Sequence, residues 1–492
     1  MYRVTLALIG ALALLSAPVN AANLTLPAVT FTGNAPTTCP IVTSLQDGCS
    51  GAQAHGTIVD PHLADAKAVI DLNIVGGSGY TNGTYTWVST GGGCTTPATG
   101  TVTVSGGLLG GAARGTPANY SITNEGAGCT ARPTIAIPSG AAGGTGASII
   151  PTVYQLTPHN AAATAIGSNW NVPGVDYPVG YDTTLTLKDP TVAGTLPSCA
   201  SLSGASVTIN SAPCTINGFD FSLHNTHLST AGSLGSNLVT ISNSKFNCVV
   251  GSTTQLDSLH VGGGAQNVKI FYNTLDGGSN APNVTCGPAA DDGQTATIGS
   301  VASSGTLDIE FNYAFHCDSK CVNYGGGAGA LTTIEEHNAW INYGMCECSH
   351  GEAEYSYSGT ASAVLNPTLM YNVMEQQFWT ASTDVTASMA TEADDVTIHN
   401  PTVAYNYALA RGNQSYTGDN NNADQVASAA MYCGHQEGGA VTGTPVHLNN
   451  IGDYSGGFFL VNASSGTCAG DYPNFKAYNA GTGNTCTTSS CN

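Results

Sequence analysis

Positive charge is what this sequence has least of. Among 492 residues stand 10 Lys and Arg against 31 Asp and Glu, a formal net charge of −21. Of the ten, Arg3 lies in an apolar leader, which leaves nine for the rest of the chain. That scarcity excludes a nucleic-acid binder and a protein held on anionic lipid by charge. Charge of either sign is thin, at 8% of residues, where globular chains carry about 25%. After the leader there is no apolar run long enough to cross a bilayer, which takes ~20 residues, so membrane insertion is not expected. With 41% apolar residues the chain still has enough for a large core, which excludes disorder.

Residues 1–21 combine Arg3, an apolar run from Val4 to Leu15, and Val19-Asn20-Ala21 before a cleavage point, the pattern of a secretory signal peptide. The expectation is an exported protein: extracellular, on the cell surface or periplasmic. All 16 cysteines follow that point and read as disulfides in an oxidising compartment. Cys39/Cys49, Cys199/Cys214 and Cys486/Cys491 are near enough for local pairs. Cys317 and Cys321, followed by Cys346, Cys348 and His350, read as two disulfides or as soft-metal ligands. Their spacing departs from the usual zinc patterns and favours disulfides.

The texture then changes along the chain. Residues 22–155 are rich in Gly, Thr, Ala and Ser and hold a loose echo: Ile74–Tyr80 returns in outline as Thr123–Cys129. Each copy leads to a β-type stretch and a glycine cluster, so the region reads as a small Gly-rich β module for attachment, or as a spacer. It resembles the Gly-rich repeats of virion and bacterial surface proteins. From about residue 165 short apolar-alternating strands recur, most with an Asn near the end. The marked positions are Asn217, Asn243, Asn273, Asn312, Asn338, Asn372, Asn406, Asn450 and Asn479, spaced 26 to 44 residues apart. Repeats of that size without helical periodicity point to a solenoid, whose units bury their apolar faces only by stacking. An Asn recurring at one turn fits a ladder of side-chain amides, and Asn tolerates a left-handed backbone.

These Asn-marked strands and Gly-rich connections resemble the right-handed parallel β-helix of the pectate-lyase-like superfamily (the pectin lyase fold). The segments Trp170–Tyr177 and Asn217–Leu223 also resemble the start of exported bacterial β-helix proteins. The resemblance implies an all-β fold: a right-handed parallel β-helix (solenoid) over 165–485, preceded by the Gly-rich β module and followed by a tail at 486–492. It implies no particular activity, because the superfamily includes lyases, hydrolases, esterases, tailspikes and adhesins. The lyase pattern of Ca²⁺-binding Asp residues with an Arg base is not matched, since Arg411 is the one Arg of the solenoid and has no acidic cluster beside it. Nor is the polygalacturonase set of Asp residues and a Gly-His matched in order.

Residues a fixed distance before the Asn markers should share a strand on successive coils. Asp257, Asp318 and Glu352 then form a column, with Lys320 and Glu354 two residues along and His350 just before. Parallel strands lie about 4.8 Å apart, so such carboxylates must share a proton, pair with Lys320 or bind a cation. Two carboxylates with separated pKa values would serve glycoside hydrolysis. Carboxylates of Asp257, Asp318 and Glu352 on Ca²⁺ would hold an acidic sugar whose proton Lys320 could abstract. Tyr355, Tyr357, Trp379 and Arg411 are the expected substrate contacts, the rings stacking on sugar faces. The plainer reading is a solvated acidic edge salt-bridged by Lys320. Two functions follow: a secreted polysaccharide-active enzyme, lyase or glycoside hydrolase, or a non-catalytic surface or matrix protein with the solenoid as a rod.

Overall fold

The computed structural model describes strands at 39–41 and 52–54 and then residues 68–110, 120–130, 132–153, 179–224, 226–247, 257–277, 296–317, 320–325, 327–343, 351–357, 363–376, 385–394, 396–404, 406–410, 431–437, 440–444, 446–448 and 451–454. The described chain is almost entirely β, as the alternation of β-branched and small polar residues requires.

Strands between Val69 and Val153 pair antiparallel in one seven-stranded sheet. Its core is Leu72, Ile74, Trp87, Val102, Val104 and Ile149. Gly100 makes room for the Trp87 ring, which a Cβ there would meet at 2.5 Å. The Trp87 indole N–H donates to the Thr101 carbonyl over 3.1 Å. The sequence echo is an echo of backbone: Gly77 and Gly79 in the first copy, Gly126 and Gly128 in the second, all have positive φ. Cys94 and Cys129 are joined, a disulfide the spacing did not suggest.

Between Ser206 and Tyr454 the described strands wind through three parallel sheets, in most turns one strand to each, which makes this part a β-solenoid. A nine-stranded sheet takes, among others, His227–Thr230, Leu259–Val261, Ala296–Ser300, Lys320–Tyr324 and Gly351–Tyr357. A ten-stranded sheet takes Leu238–Ser242, Ala265–Phe271, Ser304–Glu310, Gly329–Glu336 and Ala363–Met370. A third, of seven strands, takes Lys245–Asn247, Thr274–Asp276, Tyr313–Phe315, Ala339–Ile341 and Val373–Gln376. A hairpin of Ala200–Ser203 on Ser206–Ile209 begins the first sheet, where the Cys199–Cys214 disulfide forms as expected. One continuous interior runs from Val207 and Ile216 through Val268, Leu307 and Leu331 to Leu369 and Val403.

At the corner between the ten- and seven-stranded sheets the expected Asn ladder is present. The Asn273 amide donates to Asn312 Oδ1 at 3.0 Å, Asn312 to Asn338 at 3.1 Å, Asn338 to Asn372 at 3.0 Å and Asn372 to Asn406 at 3.2 Å. Each Oδ1 also accepts the backbone N–H of the preceding rung. Each amide reaches back to a carbonyl as well, Asn338 to Ile309 at 2.8 Å. No side-chain donor or acceptor of an inner rung is left without a bond.

Two markers are off the ladder, which corrects their assignment. Asn217 pairs with Ser242, two positions before the rung, and Asn243 stands one position before it at φ 47°. Ser244 fills that rung, its N–H donating to Asn273 Oδ1 over 3.1 Å. The reason is that the rung follows a left-handed residue, and Asn suits both places. On later coils the left-handed place is aromatic: Tyr272, Phe311, His337 and Tyr371 have φ between 52° and 59°. Their rings stack at centroid distances of 5.0, 5.2 and 4.8 Å. Burial holds the His337 imidazole down to about 3, so it stacks as a neutral ring. Asn450 and Asn479 lie outside the described residues.

The ladder sets a contrast between two asparagines. Asn338→Ala removes four side-chain bonds inside the solenoid and should lower unfolding stability by about 3 kcal/mol or more, read from urea denaturation. Asn217→Ala, on an exposed side chain, should cost less than about 1 kcal/mol. Equal effects would refute the distinction.

Candidate functional site

The expected column falls on the nine-stranded sheet, with a different membership. Lys320 lies directly opposite Glu352, so the residue beside Glu352 is Lys320 and not Asp318. The Lys320 ammonium is 3.6 Å from Glu352 Oε2 and 4.6 Å from the centroid of the Tyr355 ring. Lys320 and Glu352 are 2% and 0% exposed, so neither lines an open surface. Of the other expected residues, Asp318, His350, Trp379 and Arg411 lie outside the described residues. Tyr357 is placed by its backbone alone, as the last residue of Gly351–Tyr357. Cys317 and Cys321 form a disulfide, as favoured over a metal site. Cys346 and Cys348 lie outside the described residues.

Glu354 is on the same face of its strand as Glu352, as expected, but that face is turned into the solenoid and lines no open groove. It stands opposite the core residue Val322 and accepts from Ser356 Oγ at 2.9 Å. Facing it from the ten-stranded sheet is Glu335, which the sequence did not single out. Glu335 stands opposite Ile309, a core position, and accepts from Tyr324 Oη and Trp340 Nε1, each over 2.6 Å. Tyr324 and Trp340 are themselves core residues. Burial pushes the Glu335 carboxyl up to about 7, against the pull of its two hydrogen bonds. Burial raises Glu354 well above the carboxylate range too, and the nearby Glu335 and Glu352 charges add to the rise. Buried phenol and neighbouring carboxylates likewise hold Tyr324 protonated.

The accessible chemistry is at the start of the same sheet. Asp257 Oδ2 meets His260 Nδ1 at 2.7 Å, and Asp257 Oδ1 accepts the Ala296 N–H at 3.2 Å. Asp257 is 13% exposed and His260 31%. Burial raises the Asp257 carboxyl, opposed first by the bond to His260. His260 alternates with the core residues Leu259 and Val261, so its ring is on the outer face. Gly299 is the next rung beside it, and a Cβ there would meet Asp257 Oδ2 at 1.9 Å. Glycine at 299 is therefore what admits the carboxylate. His227 bonds through Nδ1 to the Asp257 carbonyl, its ring centroid 6.4 Å from that of His260. Burial holds His227 below the usual imidazole range.

A carboxylate on Nδ1 fixes the proton there and leaves Nε2 of His260 as an acceptor, the arrangement of an oriented base. Along the same outer row His260, Gly299, Asn323 and Tyr355 stand opposite one another on successive coils. Sequence could have found His260 from Asp257-Ser258-Leu259-His260, where alternation separates His from the core Leu. Among the described residues no group of three or more His, Cys, Asp or Glu is arranged to hold a metal ion. No helix among them is long and apolar enough to cross a membrane. The three disulfides fit a non-reducing environment.

Comparison with known proteins adds no relative: no family model matches the chain, and neither a curated protein nor a solved structure is significantly similar to it.

The interior carboxyls make stability depend on pH. An unfolded Glu titrates near 4.5 and folded Glu335 near 7, so over that window the folded chain keeps a proton that the unfolded chain releases. Stability should be full below pH about 4.5 and fall by on the order of 3 kcal/mol by pH 8, with Glu354 extending the loss upward. Denaturation midpoints across that range check it. Glu335→Gln should flatten the profile, and a profile unchanged by that substitution would exclude Glu335 as its source.

Proposed function

We propose that this chain is an exported, polysaccharide-active solenoid that binds a glycan along the outer face of its nine-stranded sheet, with His260 as the base. The observation that carries the reading is a partly exposed imidazole oriented by a covered carboxylate, beside a glycine that makes the space. We take the winding as right-handed, as in the pectate-lyase-like β-helix, because parallel crossover connections are right-handed in about 98% of cases.

Proton abstraction suits these groups better than glycoside hydrolysis. A hydrolase needs two carboxyls flanking the bond at roughly 5–9.5 Å from each other. Of the described candidates, Glu352 is held by Lys320 and Glu354 lies inside. In a lyase reaction His260 Nε2 would take the proton next to a uronate carboxyl. The bond to the departing sugar oxygen would then break as a C=C bond forms, and that oxygen would take up a proton from water. A chain of net charge −21 repels such a polymer unless salt or Ca²⁺ screens the two, and screening is effective beyond about 10 Å at 0.1 M.

The second reading is a non-catalytic surface or matrix rod. The burial of Lys320, Glu352 and Glu354 favours it, because those groups then serve cohesion between coils.

A panel of acidic and neutral polysaccharides, with and without Ca²⁺, separates the two. It is read for ultraviolet absorbance of unsaturated ends and for reducing ends. The lyase reading expects absorbance that falls 100-fold or more, by about 10²–10⁴, in His260→Ala. Reducing ends without absorbance would mean a hydrolase. Silence on every polymer, from a folded protein, supports the rod.

A further inference from the structure

The outer face of the ten-stranded sheet holds a second cluster that the glycan reading does not use. Lys269, on Ala265–Phe271, is directly opposite Asp308, on the adjacent parallel strand Ser304–Glu310. Its Nζ lies 3.0 Å from Asp308 Oδ2 and 2.8 Å from Glu310 Oε2. All three side chains are covered, at 1%, 0% and 3% exposure. The Phe271 ring flanks the amine, its centroid 5.7 Å from Nζ. Both strands are fixed by seven paired residues, so the groups cannot move apart without opening the coil.

An ammonium held against two carboxylates is costly in a dry place, where an ion pair returns little against its desolvation. Moving the lysine proton onto the pair's carboxylate gives a neutral amine and a neutral acid, which burial tolerates better. Such a pair holds an amine 3.0 Å from an oxygen of the acyl group it would attack. Fixed contact of this kind is equivalent to about 10⁵–10⁸ M of reactant.

We propose that Lys269 and Asp308 are joined as an intramolecular isopeptide bond, with Glu310 as the proton carrier. The Nζ lone pair adds to Cγ of the protonated Asp308 carboxyl. Glu310 takes a proton from Nζ and delivers it to the departing hydroxyl. The Cγ–O bond breaks, one water leaves, and an Nζ–Cγ amide remains. Ammonium and carboxylate give amide and water, with no oxidant, reductant or co-reactant. The exclusion of water that makes the ion pair costly also draws the condensation forward. The product is a covalent staple between successive coils, within the solenoid and independent of the activity of His260.

The test is the mass of the exported full-length chain after complete reduction and alkylation, which removes the contribution of disulfides. The proposal expects a mass one water below that calculated for the alkylated chain from its own N-terminus, which is read by sequencing. Trypsin should then fail to cleave after Lys269, and a second protease should yield a branched peptide carrying Lys269 and Asp308. Lys269→Met and Asp308→Ala should each restore full mass. Glu310→Gln, which keeps the shape, should leave the bond unformed in most molecules. Full mass in the unaltered chain, tryptic cleavage after Lys269, or a water loss placed elsewhere would overturn the proposal whether or not the variants fold. An undiminished bond in Glu310→Gln would overturn the role of Glu310.

Discussion

A column of side-chain amides carries the register of the coils. Each Asn of the ladder binds forward to the next Asn, accepts the backbone N–H of the rung before it, and reaches back to a carbonyl. A coil displaced by one residue would bury several unpaired polar groups at once, each costing about 1–3 kcal/mol. The ladder therefore selects one register, and that register decides every opposition along the three sheets. Lys320 beside Glu352, Lys269 beside Asp308 and Gly299 beside His260 all follow from it. The left-handed corner that precedes each rung is a local cost of roughly 1–2 kcal/mol. The stacked column from Tyr272 to Tyr371 offsets that cost with aromatic contact.

A chain with few charges has put several of them where water does not reach. Lys269 and Lys320 are among its largest fully buried side chains, and Glu335, Glu354 and Asp308 are buried as well. Such groups hold coils together only while paired or neutral, which ties the cohesion of the solenoid to protonation. The outer row of the nine-stranded sheet is different. There the mostly covered Asp257 serves to orient the half-open His260, and partial burial works for chemistry in place of cohesion.

The solenoid was legible in the sequence because the ladder demands one residue type at one place, and few other folds repeat Asn beside an apolar strand at such intervals. Its phase was less legible, since Asn243 satisfies the left-handed corner as well as Asn satisfies the rung. The column missed for a different reason: counting back an equal distance from the true rungs Asn338 and Asn372 set Asp318 beside Glu352, where the strands set Lys320, because the path from strand to rung differs in length by two residues between those coils. Glu335 and Glu336 are adjacent, and sequence alone does not say which turns inward. The partners that decide it, Tyr324 and Trp340, come from other strands. Covered carboxylates were expected in the open because charge usually marks surface. In this chain Ser356, Tyr324, Trp340 and Lys269 supply the partners that permit burial.

Amide hydrogen exchange, followed by mass spectrometry on the native full-length chain, tests the ladder most directly. The backbone N–H groups of Asn312, Asn338 and Asn372 donate to the Oδ1 of the next rung. They should be among the slowest in the molecule, slower than the N–H of Thr191 or Thr184 in exposed turns. Exchange at those three rungs as fast as in the exposed turns would contradict a solenoid held in register by its asparagines.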